Sequence, residues 1–343
     1  MRSFYVTLLL GAVALAAAPS LLAPPSASAR ARPPVDFERK AARAYERDLG
    51  VSSVRIPKWL DNDPTVIATV GASVLEADTT HPMTIKDGVA TASLPQHKLT
   101  WMARVVAIPP QSKACATVYV KFYEDFKPGD GGKLPGFSDT GMGRQAHGAP
   151  EIINGKPYPN AGWGGRHSDG VHWSARTGFG GWTESRVSMH TYYYANTDSK
   201  YGRIHGLGSV KKGAWTAYVE CVNLNTPGED DGGLFYETVD DGPIYSNNDI
   251  SWRKLDVPES MIRELWIDIY CGGTNCGPNP AGTVSFGGAV VTKGLPDMKA
   301  IKAEVARLNT LKIDPPRRVA DPRQRVDDTP EVPEDPPEPA QDP

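Results

Sequence analysis

The chain has 343 residues, 40% of them hydrophobic, which is enough to build a substantial core in one large domain or two. Lys and Arg number 37 against 40 Asp and Glu, for a formal net charge of −3. A balance this close to zero argues against a strongly basic nucleic-acid binder.

Residues 1–29 read as a secretory signal, with Arg2, an apolar run from Phe4 to about Ala18, and Ala27-Ser28-Ala29 as a small-residue cleavage site. The apolar run is too short to span a bilayer, so no membrane span is expected. With no cysteine near the cleavage site, lipid attachment is not expected, and the mature protein is expected to be soluble and secreted or periplasmic. Residues 30–64 read as an N-terminal helical extension and linker, with a helix over 35–49 that gathers Phe37, Ala41, Ala44 and Tyr45 near one face.

From residue 65 the pattern changes to short β-rich runs, at 65–70, 98–108, 116–122, 186–194, 215–224, 233–239, 265–270 and 283–291. Gly, Pro, Asn and Asp separate them, and no βαβ alternation is visible. The expected fold is all-β, a jelly-roll β-sandwich over 65–312 with flanking helices. The second helix is expected over 297–311, where Met298, Ile301, Val305 and Leu308 recur at helical spacing. Residues 313–343 are expected to form a disordered tail: from Asp314 it holds 4 Arg and 9 Asp or Glu with much proline, which leaves the rest of the chain slightly basic.

Four cysteines in an exported chain suggest disulfides. Cys271 and Cys276 close a short loop through Gly272, Gly273 and Asn275, so a local bridge is the simplest pairing. Cys115 and Cys221, each in a strand-like run, then form the second. A zinc site competes but lacks histidines at ligand spacing, and free buried thiols are the other reading. The acidic run Glu229-Asp230-Asp231-Gly232-Gly233 is explained by a hairpin turn, so no metal is expected.

Three segments carry chemistry: Gly131-Gly132-Lys133-Leu134-Pro135-Gly136, Trp173-Ser174-Ala175-Arg176 and Tyr192-Tyr193-Tyr194. A lysine, an arginine, a serine and phenols suit β-elimination on a uronic-acid polymer. The C5 proton becomes removable only when cations neutralise the adjacent carboxylate. A base then takes it while an acid protonates the oxygen leaving C4. A tyrosine beside Lys or Arg can serve as either, because neighbouring positive charge favours the phenolate. On strands, Ser174 and Arg176 point together, as do Tyr192 and Tyr194, with Tyr193 turned away.

The order of these and further segments resembles polysaccharide lyase family 14, whose members cleave alginate or glucuronan. The resemblance runs over about residues 115–292. It starts at Val118-Tyr119-Val120-Lys121-Phe122 and Asp125-Phe126 and passes through the three segments above. It continues in Gly213-Ala214-Trp215, Asn223-Leu224-Asn225-Thr226-Pro227-Gly228, Asp231-Gly232 and Val239-Asp240-Asp241-Gly242. It implies a jelly roll with Lys133, Ser174, Arg176, Tyr192 and Tyr194 lining the active site and no organic cofactor. The chain departs from the alginate-cleaving members at Phe137-Ser138-Asp139-Thr140-Gly141-Met142-Gly143-Arg144 and in the stretch 145–169, which bears on substrate more than on chemistry.

In this reading Lys133 and Arg176 neutralise the carboxylate and Tyr192 or Tyr194 moves the protons. Arg144, His172 and Trp173 are candidate substrate-binding residues, for a second carboxylate, on the strand face of Ser174 and against a sugar ring. Each has a plainer alternative: Lys133 as a turn lysine after Gly-Gly, Arg176 and Arg144 as solvated or salt-bridged, His172 as a structural histidine, Trp173 as core, the tyrosines as strand formers. His147, His167, His172 and His190 also offer a histidine base, and Arg166 and Trp163 resemble Arg144 and Trp173 in setting. Ser174 lacks a Gly-x-Ser-x-Gly elbow and is expected to orient rather than attack. A monomer acting on an acidic polysaccharide is expected. The rival from another class is a non-catalytic carbohydrate-binding protein on the same fold. A glycoside hydrolase is disfavoured by the lack of a compact Glu-x-Asp-x-x-Glu strand.

Overall fold

A computed structural model of the chain describes residues 54–77, 83–94, 100–126, 131–139, 151–158, 161–162, 168–180, 186–192, 203–209, 211–271 and 282–313. The proposed signal, the helix over 35–49 and the tail from 314 onward lie outside the described residues.

The strands in chain order are β1 Val66–Val70, β2 Met83–Lys86, β3 Val89–Leu94, β4 Thr100–Gln111, β5 Lys113–Phe122, β6 Gly131–Ser138, β7 Glu151–Ile153, β8 Lys156–Tyr158, β9 Ser174–Gly180, β10 Arg186–Tyr192, β11 Arg203–Ser209, β12 Trp215–Asn223, β13 Gly232–Thr238, β14 Gly242–Ile250, β15 Ile262–Cys271 and β16 Gly282–Thr292. Each run expected from the sequence overlaps one of them. Two short hairpins use left-handed turn pairs. Asp87 (φ 53°) and Gly88 (φ 75°) join β2 to β3, and Asn154 (φ 50°) and Gly155 (φ 75°) join β7 to β8. Asp-Gly and Asn-Gly suit such turns because both central residues need positive φ.

The strands form two antiparallel sheets of a jelly-roll β-sandwich, with β7 and β8 as a separate hairpin. One sheet runs β14-β13-β12-β5-β16-β3-β2, with β1 also paired to β16; the other runs β11-β10-β9-β6-β15-β4. Alternation puts apolar side chains of both sheets into one core, including Val118, Val120 and Val222 from the first and Phe137, Leu265 and Ile267 from the second.

The outer face of the larger sheet is buried too, which explains why Trp215–Val222 of β12 reads as a continuous buried run. Helix α1, Met298–Thr310, lays Ile301, Val305 and Leu308 on Trp215, Ala217 and Val219. Asp297 caps it by accepting from the Lys299 N–H at 2.9 Å. Under the helix, Cys115 and Cys221 face each other in register across β5 and β12 and form a disulfide. Cys276 and the Cys271 side chain lie outside the described residues. Among those residues no helix is long and apolar enough to cross a membrane.

One segment differs from its local composition. The Gly131–Gly136 segment has the composition of a turn, yet it lies within β6, paired to β15 on one side and β9 on the other. Neighbouring strands supply its backbone hydrogen bonds, so tertiary pairing overrides glycine's weak strand preference.

Candidate functional site

The site lies where β9, β6 and β15 run side by side. Leu134 and Phe137 of β6, Ala175 and Phe179 of β9, and Leu265, Ile267 and Ile269 of β15 point into the core. The intervening positions, turned away from that core, hold Lys133, Arg176, Trp266 and Asp268.

Register sets their spacing. Lys133 pairs with Gly178 of β9 and Tyr270 of β15, while Gly136 pairs with Arg176 and Trp266. The Arg176 side chain therefore crosses β6 at the Gly136 position. Its guanidinium carbon comes 4.3 Å from the centre of the Trp266 ring, and its Nη1 donates to Asp268 Oδ2. A planar cation stacked on an indole and paired with a carboxylate is held in orientation as well as position.

Arg176 is 2% exposed, Lys133 5% and the Asp268 side chain 19%. Burial holds the Lys133 amine well below the ordinary lysine range, and the Arg176 charge pushes it further down while Asp268 acts the other way.

Ser174 opens β9, and its hydroxyl donates to the Gly162 carbonyl at 2.7 Å. On the other side of β9, Tyr192 of β10 is the register partner of Ser174 and His190 that of Arg176. Tyr194 and Arg144 lie outside the described residues.

Two substrate-binding candidates lie in buried surroundings. Trp173 is part of the core, with its ring 5.2 Å from that of Trp252 and Nε1 donating to the Ser260 carbonyl at 2.9 Å. His172 precedes β9 and is fully buried, with Nδ1 2.8 Å from Asp139 Oδ2 and its N–H donating to Asp169 Oδ1. Apolar packing holds the indole, and a buried carboxylate holds the imidazole.

Trp266 and Asp268 were absent from the sequence-based set. Their signal is the alternation Glu264-Leu265-Trp266-Ile267-Asp268-Ile269, in which every second residue is a core aliphatic and the others cannot all be core. Among the described residues no group of three or more His, Cys, Asp or Glu could hold a metal ion.

No family model matches the chain, and no curated protein does. Solved structures do match. A mutant of the alginate lyase Aly36B in complex with alginate tetrasaccharide is 18% identical, with a TM-score of 0.51 over 69% of this chain and 98% of that one. Aly36B itself gives 18% identity and 0.50 over 68% and 95%. The PL-14 alginate lyase from Aplysia kurodai gives 14% and 0.49 over 66% and 98%. At such identities the likeness to Aly36B is one of architecture: this chain shares its β-sandwich fold with that alginate lyase.

Proposed function

We propose that the chain is an exported polysaccharide lyase that cleaves a 1,4-linked uronic-acid polysaccharide, alginate or glucuronan, by β-elimination. The observation that carries this reading is a buried Lys133 on the sheet face turned away from the core, near an Arg176 oriented by Trp266 and Asp268.

Elimination needs a base to take the C5 proton while negative charge grows on the uronate carboxylate. A neutral Lys133 amine that accepts the C5 proton becomes an ammonium at that moment, which favours the transition state over the ground state. Arg176, fixed by Trp266 and Asp268, pairs with the carboxylate. Lys133 is therefore better suited to be the base than a permanent counter-charge. Tyr192 or Tyr194 then protonates the oxygen leaving C4, and Ser174 orients the start of β9. The step balances: the C5–H and C4–O bonds break, a C4=C5 double bond forms, Lys133 gains a proton and the tyrosine loses one. Return of that proton from lysine to tyrosine resets the site.

Two further facts support the setting. The Cys115–Cys221 disulfide suits an oxidising compartment and hence export. Aly36B, with a similar fold, was solved with an alginate tetrasaccharide, which makes alginate the first polymer to try.

The test is ultraviolet absorbance of the conjugated product on incubation with alginate, polymannuronate, polyguluronate and glucuronan. A rise with one polymer that disappears in Lys133→Ala supports the lyase. Retained binding without any rise would replace it with a carbohydrate-binding protein.

A further inference from the structure

Strand β12 lies in the larger sheet, yet two of its core-facing side chains reach the backbone of β6 in the other sheet. The Tyr218 hydroxyl donates to the Pro135 carbonyl at 2.7 Å, and the Phe137 N–H donates to Glu220 Oε1 at 3.4 Å. These contacts flank Gly136. They fall where β6 breaks step with both neighbours, between Lys133 and Gly136 against β9 and between Trp266 and Tyr270 against β15. A bulge takes backbone groups out of the ladder, and groups facing a core need polar partners there.

Packing at the break is tight. A Cβ on Gly136 would lie 2.4 Å from the Ala175 carbonyl oxygen, 2.6 Å from Arg176 Cα and 2.8 Å from Glu220 Oε2. The Glu220 carboxyl thus sits directly behind the strand position that faces Arg176. It is fully buried, and Oε2 has no hydrogen-bond partner among the described residues. A core needs no such group for cohesion, since burying a carboxyl is costly and a leucine would pack at lower cost. Burial pushes the Glu220 pKa well above the ordinary carboxylate range, with the Phe137 N–H and Arg176 opposing. Burial likewise raises the Tyr218 phenol well above its ordinary value.

We propose that Glu220 and Tyr218 are positioning residues that grip the β6 bulge from behind and so set Lys133 against Arg176. This rests on the lyase reading, with Lys133 and Arg176 as the reacting and anchoring groups. Without the grip, Pro135 O loses its Tyr218 donor and the Phe137 N–H its Glu220 acceptor, and the bulge shifts along β6 in response. Lys133, on the same strand before the break, moves with it.

The experiment compares Glu220→Gln, which keeps an acceptor oxygen, with Glu220→Leu, which does not, and with Tyr218→Phe. Hydrogen exchange of the peptide covering residues 131–139 is read by mass spectrometry, alongside kcat and KM on the polymer that the wild type cleaves. Glu220→Leu should speed exchange in that peptide about tenfold, the equivalent of one net hydrogen bond. It should also lower kcat about tenfold or more with a smaller change in KM, because misplaced reacting groups slow the chemical step. Glu220→Gln should restore both.

Wild-type exchange and kcat in Glu220→Leu would overturn the proposal, as would a Glu220→Gln variant as impaired as Glu220→Leu. Should Glu220→Leu fail to fold, Tyr218→Phe, which loses a single oxygen, decides by the same two readouts. If the wild type cleaves no polymer, the lyase reading fails, while the exchange measurement still decides whether the two residues hold the bulge.

Discussion

Arg176 and Trp266 belong to strands two apart in the smaller sheet, yet the guanidinium carbon lies 4.3 Å from the indole centre. The stack and the Asp268 ion pair use one face and one edge of the guanidinium, and together they fix its plane. A lysine could keep the charge but neither the plane nor the fork of donors. Arg176→Lys is therefore expected to lower kcat/KM about 10²-fold, the scale on which removal of one oriented donor acts. Initial rates of product absorbance check this, and near-wild-type rates would show that charge alone matters.

Lys133 makes activity depend on pH in a definite direction. Its pKa is lowered by burial and by Arg176, so the base form fills well below the ordinary lysine value of about 10.4. kcat/KM should rise with pH through that lowered pKa. Lys133→Arg, which cannot release a proton, should remove the limb and cost about 10²-fold or more in rate.

The same shift has a stability consequence. Between the lowered native pKa and about 10.4 the unfolded chain holds a proton on this lysine that the native state does not, so stability rises with pH across that window. Lys133→Met removes the penalty of burying an ammonium. It should raise the thermal midpoint most at neutral and acid pH, with the gain fading as pH rises toward about 10.4, while abolishing turnover. A lower midpoint across the whole range would refute this.

Glu220 titrates with the opposite sign. Its native pKa is raised, so above about 4.3 the unfolded chain ionises while the native chain stays protonated, and stability falls as pH rises toward the native value. Glu220→Gln should be more stable than wild type at neutral pH, with the gain vanishing below about pH 4. Denaturant midpoints at several pH values check it.

Gly136→Ala is expected to be among the most damaging single substitutions in the chain. Two of the three nearest atoms are main chain, the Ala175 oxygen and Arg176 Cα, and cannot rotate away. Overpacking of this kind costs about 1–3 kcal/mol or more, which lowers the thermal midpoint by several degrees. An unchanged midpoint would mean that β6 can shift freely.

The Cys115–Cys221 bridge closes a sequence separation of 106 residues. On the chain-entropy account a loop of that length contributes about 4.7 kcal/mol. Replacing both cysteines by alanine should lower unfolding free energy by an amount of that order, measured by denaturant titration without reductant.

Much of the framework was legible from local pattern. Helix α1 announces itself through Ile301, Val305 and Leu308 behind Asp297, because a helix face repeats within the element itself. The β-branched runs of β5, β12 and β16 are equally plain. The Asp87-Gly88 and Asn154-Gly155 turns were visible in principle and mark two hairpins that the list of β-rich runs omitted. β6 is absent from the expected β-rich runs because Gly-Gly and Pro-Gly carry a local turn signal. Its strand state comes from β9 and β15, the latter more than 120 positions away in the chain.

The sequence by itself determined a two-sheet β protein with a capped outer helix, and it named Lys133 and Arg176 as residues to watch. Period-2 and period-3.6 burial are properties of single segments, so they can be read along the chain. Tertiary structure alone decided that Arg176 stacks on Trp266, that Asp268 joins the pair, that Trp173 is core, and that Glu220 reaches β6 from the opposite sheet. Those facts depend on register between strands and on which sheets face each other, and both are settled by the whole core packing at once rather than by any segment's own composition.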